Sequence, residues 1–430
     1  MSRSNNGSFY IESHGCSAST ADAEMISGLL KANSFTPVEK PESADVNILV
    51  TCIVKTATSH KMIRRIKELT VLGRPLIVAG CMPKAERQLI EAVNPAASLL
   101  GPDDLSRTVE AVTDALHGIR RTHLDGSGEP KLLLPRVRTN PVIGIVEVSS
   151  GCLGNCAYCE VKLVKGGLTS YRPETIGLEV KQALQDGCRE IWLTSQDNGC
   201  YGLDIGQNLP SLLREVLAVE GDFMVRLGMM NPQHTAPLLD DLIKLYRDDD
   251  RLFKFIHIPV QSGSDRVLRD MKRDYSVADF TGIVERFRAA FPQSSLSTDI
   301  IVGYPTETEE DFQQTLKLVR EVKPDTVNIS RFGARPGTES ERLEPLDAHL
   351  IKARSRLLHR VARDVALQNN RRWVGWRGKV LVDEVVRGAV VGRNPAYRPV
   401  VIREEIPVGR VLEVQVVDAT AVCLVGETSC

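Results

Sequence analysis

No apolar run in these 430 residues approaches the ~18 needed to cross a membrane, and the polar start, Met1 to Ser8, holds no apolar stretch of signal-peptide length. Both absences lead us to expect a cytoplasmic protein without a membrane partner. Net charge is missing too: 54 Lys and Arg stand against 55 Asp and Glu, so no overall attraction to nucleic acid follows and any such attraction must be local. A phosphate-cradling glycine loop is also absent. Gly199, Gly202 and Gly206 fit no nucleotide fingerprint and read as a flexible loop. What the chain does hold is ten cysteines, which in that compartment argue for metal or redox chemistry rather than a disulfide framework. Its length exceeds what one hydrophobic core supports, so two or three domains are expected.

The most informative stretch runs from Ser149 to Cys159. Cys152, Cys156 and Cys159 are spaced by three and then two residues, most of them small or turn-forming, so one short loop can aim three sulfurs at a point. A 4Fe-4S cluster is usually held by four thiolates, so three from one loop leave one iron open to a substrate. A zinc site is the alternative, but structural zinc takes four ligands and no His or Cys nearby supplies an obvious fourth.

Strand and helix patterns alternate through the first 120 residues, with strands at Ser8 to Glu12, Asp45 to Val50 and Pro75 to Ala79, as in a doubly wound parallel sheet. Cys16 follows the first strand, Cys52 ends the second and Cys81 the third. The carboxyl ends of neighbouring parallel strands share one crevice, so these thiols should meet as a second three-cysteine set. Chance filling of strand ends by an often-buried residue is the alternative. Cys188, Cys200, Cys423 and Cys430 show no such pattern and read as ordinary thiols.

After a linker at His123 to Asn140, six strand-like runs separated by helices suit an open partial barrel: Val142 to Val148, Arg189 to Thr194, Phe223 to Met229, Phe253 to Val260, Leu296 to Val302 and Thr326 to Phe332. Polar residues at their carboxyl ends are candidate ligand contacts, among them Ser195-Gln196-Asp197, Arg226, Gln261-Ser262 and Arg335. Asp299 reads as structural. A basic helix from Ile351 to Arg372 and five short strands beyond it suggest a small OB-type barrel. Ile351 to Arg410 carries fourteen Lys or Arg against five acids, the local footprint of an RNA binder, to which Trp373, Trp376 and Tyr397 could add stacking faces.

The CxxxCxΦC pattern, with Tyr158 before the last cysteine, resembles the radical S-adenosylmethionine (SAM) signature. Together with Gly15-Cys16, Thr51-Cys52-Ile53-Val54-Lys55 and Val78 to Pro83, the chain is similar to the methylthiotransferases. Val391 to Val400 resembles their TRAM domain. Two departures stand beside the expected ligands: Ser19 and Val50 occupy positions where the family often has Asn.

The resemblance implies an α/β chain in three parts. These are an N-terminal doubly wound sheet (7–120), a central partial (β/α)6 radical SAM barrel (138–368) and a small C-terminal TRAM β-barrel (370–430). It implies two 4Fe-4S clusters, on Cys16, Cys52 and Cys81 and on the catalytic trio Cys152, Cys156 and Cys159. It implies SAM contacts at Tyr158, Gln196, Arg226, Gln261 and Ser262, and RNA contacts at Arg371, Arg372, Arg393, Tyr397 and Arg398. SAM cleavage at the open iron would give a 5′-deoxyadenosyl radical, with the methylthio group reaching C2 of a tRNA adenosine.

Tyr201-Gly202-Leu203-Asp204 and Arg226 to Pro232 resemble the archaeal and eukaryotic branch, which acts on N6-threonylcarbamoyladenosine beside the anticodon. A flavodoxin- or ferredoxin-like electron donor and a sulfur donor are then expected. The competing readings are the same chemistry on isopentenyl-adenosine tRNA or a ribosomal-protein aspartate, and a non-enzymatic metal-containing RNA-binding protein.

Overall fold

The computed structural model describes residues 6–53, 56–126 and 130–428; Val54, Lys55, Gly128 and Cys430 lie outside them. The chain divides into two units. One comprises Met1–Thr139, Tyr158–Gly167 and Gly333–Glu341, the other Asn140–Ala157, Leu168–Phe332 and Arg342–Cys430.

The first unit is built on a parallel sheet whose central strands are β1 (Ser8–Ser13), β2 (Val46–Thr51), β3 (Leu76–Gly80) and β4 (Ser98–Leu100), adjacent in that order and flanked by the short strands Thr36–Pro37 and Thr122–His123. Every residue of β2 and β3 is buried, which is why both read as continuous apolar runs rather than alternating ones. Helices α1 (Ser17–Ala32), α2 (Thr56–Val71) and α3 (Thr108–Leu116) belong to this unit. Met62 and Ile66 of α2 join Leu49, Leu76, Val78 and Leu99 in its core.

The second unit contains two three-stranded parallel sheets. The first holds β5 (Ile143–Glu147), β6 (Glu190–Thr194) and β7 (Met224–Leu227); the second holds β8 (Phe255–His257), β9 (Ser295–Val302) and β10 (Thr326–Arg331). A parallel bridge between Val225 and Leu252 joins them, so all six expected strands follow one curve, the partial barrel. Helices α4 (Pro173–Gln185), α5 (Leu209–Ala218), α6 (Leu239–Asp248), α7 (Val277–Ala290) and α8 (Glu309–Val322) connect the strands. Asn208, Ser276 and Thr308 start α5, α7 and α8 with reciprocal capping boxes.

Before α5 stand Gly199, Gly202 and Gly206, which in sequence read as a flexible loop. Its first part is instead packed, whereas residues 203–208 are exposed: Asn198–Cys200 is a buried helical turn, Tyr201 donates to the Tyr171 carbonyl at 2.6 Å, and Gly202 N donates to Ser170 Oγ at 2.9 Å.

Helix α9 (Ala348–Arg371) leads to a closed barrel of β11 (Arg377–Val386), β12 (Ala389–Arg393), β13 (Pro399–Ile402), β14 (Val411–Ala419) and β15 (Leu424–Thr428), in the order β11-β12-β13-β15-β14. Alternate residues, among them Val380, Val382, Val414 and Val416, fill its core. This small barrel meets the amino-terminal ends of the six strands: Lys254 N donates to Pro395 O at 2.7 Å and Arg189 Nη1 to Gly409 O at 2.9 Å. Among the described residues no helix is long and apolar enough to cross a membrane.

Candidate active site

The motif loop leaves β5 through Ser149–Ser150, which pair antiparallel with Thr169–Ser170. Gly154 N donates to Cys152 Sγ at 3.3 Å, and a Cβ on Gly154 would stand 3.5 and 3.6 Å from the Cys152 and Cys156 sulfurs, so the loop curls around its own thiols. Ala157 N is anchored on the Met271 carbonyl at 3.0 Å. Arg273, 7% exposed, donates Nη1 to Cys156 Sγ at 2.9 Å, Nε to Tyr275 Oη at 3.0 Å, and Nη2 to Asn231 Oδ1. Tyr158 and Cys159 follow in the chain and fall in the first unit.

Cys200 was read as an ordinary thiol, and the structure corrects this. Its thiol donates to the Asp197 carbonyl at 3.3 Å, and its interaction with Cys152 brings Cys152 down to about 6 and pushes Cys200 up. The turn that places it rests on buried Asp197, whose oxygens accept from Gly199 N (2.9 Å), Asn231 N (3.0 Å), Asn231 Nδ2 (2.8 Å) and His234 Nδ1 (2.6 Å). Asp197, Cys200 and His234 bring potential metal-ligating atoms within 4.8 Å of one another. Four donors already engage the carboxylate, so the group fits a scaffold for the Cys152 side of the loop better than a separate metal site. No sequence signal singled out this turn, because Cys200 lies 48 residues from Cys152 in the chain.

Several buried oxygens beside the loop have no hydrogen-bond partner among the described residues: Ser149 Oγ, Ser150 Oγ, Ser195 Oγ and Gln196 Oε1. Polar atoms in that state call for a ligand or ordered water. Gln261 sits in a left-handed conformation (φ 66°), its backbone bonded to Asp299 O and Ile301 N. Ser262 is buried, its hydroxyl accepting from Ser264 N at 3.2 Å, an immediate role in the turn before the next helix. Arg226 departs from expectation. Its guanidinium points into the barrel over Trp192 (5.0 Å), Phe255 (5.6 Å) and Tyr397 (5.3 Å), because position 226 faces inward on β7.

In the first unit the other three cysteines stand where expected: Cys16 caps α1, Cys52 follows β2 and Cys81 follows β3. The Cys52 thiol donates to Cys16, with help from the amides of Ala18 and Ser19 at the helix N-terminus, and brings Cys16 down to about 6. Ser19 Oγ lies 3.7 Å from Cys16 Sγ, so the residue that departs from the family pattern still reaches the ligand. Burial pushes Cys81 up to about 12, opposed by the charges of Lys165 and Lys131. Lys131 is itself buried and paired with Asp22 at 3.0 Å. Thiols from three element ends, with cations facing them, suit an anionic thiolate cluster.

Gly80 holds this end of the sheet in a left-handed conformation (φ 89°), where a Cβ would come 2.5 Å from the Thr51 carbonyl. Arg335, expected at the rim of the barrel, is instead buried in the first unit. It donates to the Ile53 carbonyl and, at 3.2 Å, to Ser59 Oγ, holding the chain just after Cys52.

Residues 146–319 match the model of the Radical SAM superfamily and residues 8–101 that of uncharacterized protein family UPF0004. A probable threonylcarbamoyladenosine tRNA methylthiotransferase of Pyrococcus horikoshii is 40% identical over 97% of this chain and 98% of its own length; that of Archaeoglobus fulgidus is 42% identical over 97% of each. The Homo sapiens threonylcarbamoyladenosine tRNA methylthiotransferase is 36% identical over 95% of this chain and 72% of its own. The chain belongs to the threonylcarbamoyladenosine tRNA methylthiotransferase family. Among solved structures, the radical S-adenosylmethionine methyltransferase TsrM from Kitasatospora setae superposes with a TM-score of 0.56 at 12% identity, over 89% of this chain and 80% of that one, a likeness of fold.

In this methylthiotransferase the expected RNA contacts separate into two groups. Arg371 and Arg372 are exposed at the end of α9. Arg393 is instead paired with buried Asp383 at 2.7 Å, and Arg398 is 5% exposed and bonded to Asn370 Oδ1. Tyr397 packs edge-on against Phe253 at 4.9 Å, and Trp373 against Trp376 at 5.7 Å with the barrel core. These side chains join the small barrel to the larger one or pack against its core. The exposed cations are elsewhere: Lys352, Arg356, Arg360 and Arg363 recur at helical spacing along one face of α9.

Proposed function

We propose that this chain inserts a methylthio group at C2 of N6-threonylcarbamoyladenosine next to the anticodon of tRNA. The observation that carries the reading is the pair of cysteine trios, both at carboxyl ends of parallel strands, in a chain that matches methylthiotransferases along nearly its whole length. Cys152, Cys156 and Cys159 would hold one 4Fe-4S cluster and Cys16, Cys52 and Cys81 a second. Each leaves an iron without a protein thiolate. With SAM bound, such a cluster supplies a one-electron route to a carbon radical, which an aromatic C–H of no useful acidity requires.

The chain's own residues set up that chemistry. Arg273 bonds the Cys156 sulfur, Cys200 interacts with Cys152, and Gln196 with its neighbouring serines offers unengaged oxygens to a polar ligand. Gln261, Ser262 and Tyr158 are retained as further SAM contacts. Arg371, Arg372 and the cationic face of α9 meet the RNA backbone, and the chain works in the cytoplasm with a flavodoxin- or ferredoxin-like electron donor and a separate sulfur donor. The functional division follows residues 7–120, 138–368 and 370–430.

Mass spectrometry of tRNA nucleosides from a deletion strain tests the proposal. The 2-methylthio derivative should vanish and N6-threonylcarbamoyladenosine accumulate, with both restored by the gene. Unchanged nucleosides alongside an altered ribosomal protein would overturn it.

A further inference from the structure

Parallel barrels ordinarily fill their interior with branched apolar side chains. This one does not. His257, Ser297 and Thr326 stand level across β8, β9 and β10, followed by Asp299 beside Asn328. His257, Ser297, Thr326 and Asn328 border a cavity of about 720 Å³, within the usual range for a small-molecule site, whose wall also includes Arg226 and Arg363.

The wall is both ordered and cationic. Asp299 accepts from His257 Nε2 at 2.9 Å and from Asn328 Nδ2 at 2.8 Å. A carboxylate accepts only, so these bonds fix which way the Asn328 amide faces and leave its carbonyl oxygen for another donor. Arg226 is held by its ring faces against three aromatics, and its Nε is buried without a hydrogen-bond partner among the described residues. Stacking of this kind leaves the in-plane N–H edge available to a planar anion. Glu190, whose charge reaches Arg226, is pushed up to about 7 by burial. Asp325 is the one acid bordering the cavity.

We propose that this cavity receives the threonylcarbamoyl substituent on N6 of the adenosine, with Arg226 facing its carboxylate and Asn328 bonding its carbamoyl N–H. The inference rests on the methylthiotransferase reading and names the part of the substrate that the barrel interior reads. C2 and the C6 substituent point in different directions from the purine ring, so a base whose C2 faces the cysteine loop can direct its N6 group down the barrel. The chain fixes the scale of that path. Asn231, which Arg273 ties to Cys156, lies five residues after Arg226, at most about 17 Å of extended chain. An isopentenyl group in the same place would leave the Asn328 carbonyl oxygen and the buried Arg226 Nε without a partner, the kind of mismatch that polar sites reject strongly.

The test is binding of the iron-loaded full-length protein to one anticodon stem-loop carrying N6-threonylcarbamoyladenosine, isopentenyladenosine or plain adenosine at a fixed salt concentration. We expect the threonylcarbamoyl form to bind at least about tenfold tighter than the other two, and Asn328→Leu and Arg226→Lys each to remove most of that preference while affinity for the plain stem-loop holds. A wild-type protein that binds all three alike, or a preference that survives both substitutions, overturns the inference. A second measurement is independent of variant folding: free N6-threonylcarbamoyladenosine should displace the modified stem-loop from the wild-type protein where free isopentenyladenosine does not. Equal displacement by both overturns the proposal as well. Nucleoside analysis separates the two levels, since conversion of the base without this selectivity sinks only the subsite, and no conversion sinks the functional reading.

Discussion

Arg273 meets the Cys156 sulfur with a guanidinium that water scarcely reaches, and its other nitrogens are held by Tyr275 and Asn231. Hydrogen bonds to cluster sulfurs favour the reduced, more negative state. Arg273→Met should therefore make the Cys152 cluster harder to reduce, with the reduced fraction at a fixed potential down about tenfold, an offset of about 60 mV; spectroelectrochemistry on anaerobically loaded protein reads this directly. Cys200 calls for the opposite expectation. It touches Cys152 but stands outside both trios, so Cys200→Ser should keep about eight irons per chain, whereas Cys152→Ser should fall to about four; iron and sulfide analysis distinguishes them. A C200S protein with about four irons would make Cys200 a ligand.

Strand ends and helix starts position these residues. Gly80 is the clearest case, because its positive φ and the 2.5 Å approach of a hypothetical Cβ to Thr51 O leave no room for a side chain. Gly80→Ala should displace Cys81, which follows it, and lower iron to about four per chain while the other cluster's SAM cleavage persists.

At the start of α8, burial pushes the Asp311 carboxyl up, but donors from Arg266, Ser264 (2.6 Å) and Thr308 (2.6 and 2.8 Å) outweigh it and hold the group well below the ordinary carboxylate range. A group depressed in the folded state contributes its full stability above the unfolded pKa, near ~4, and loses it as pH falls further. Asp311→Asn should cost about 1–3 kcal/mol at neutral pH and flatten the decline in urea midpoint below about pH 4. A wild-type decline that the variant retains would assign that limb to other carboxylates. The strands were largely legible in sequence, since their patterns depend on residues close in the chain. The packed turn before α5 was not, because Gly199 and Gly202 resemble a loose loop until partners such as Ser170 are in place.

Over the whole molecule, a formal charge of −1 conceals a cationic face on α9. Arg356→Glu with Arg360→Glu should weaken tRNA binding and lower the slope of log affinity against log salt by about 2, since each lost phosphate contact removes ~0.9. Arg398→Gln should leave that slope unchanged and reduce thermal stability instead, because its guanidinium is buried against Asn370. Filter binding across a salt series checks both.

The placement of cysteines at strand ends and in the motif loop, the partial barrel and the family were readable from the chain alone, because loop spacing, apolar runs and motif residues are properties of neighbours in sequence. Which arginines face outward was not. Arg226, Arg335, Arg393 and Arg398 lie among motif residues that invite a functional reading, yet packing turned each inward, to rings, a backbone carbonyl, the Asp383 carboxylate and the Asn370 amide oxygen. The polar barrel interior was equally hidden: His257, Asp299 and Asn328 meet only when three strands align, and that register depends on the closing of the fold.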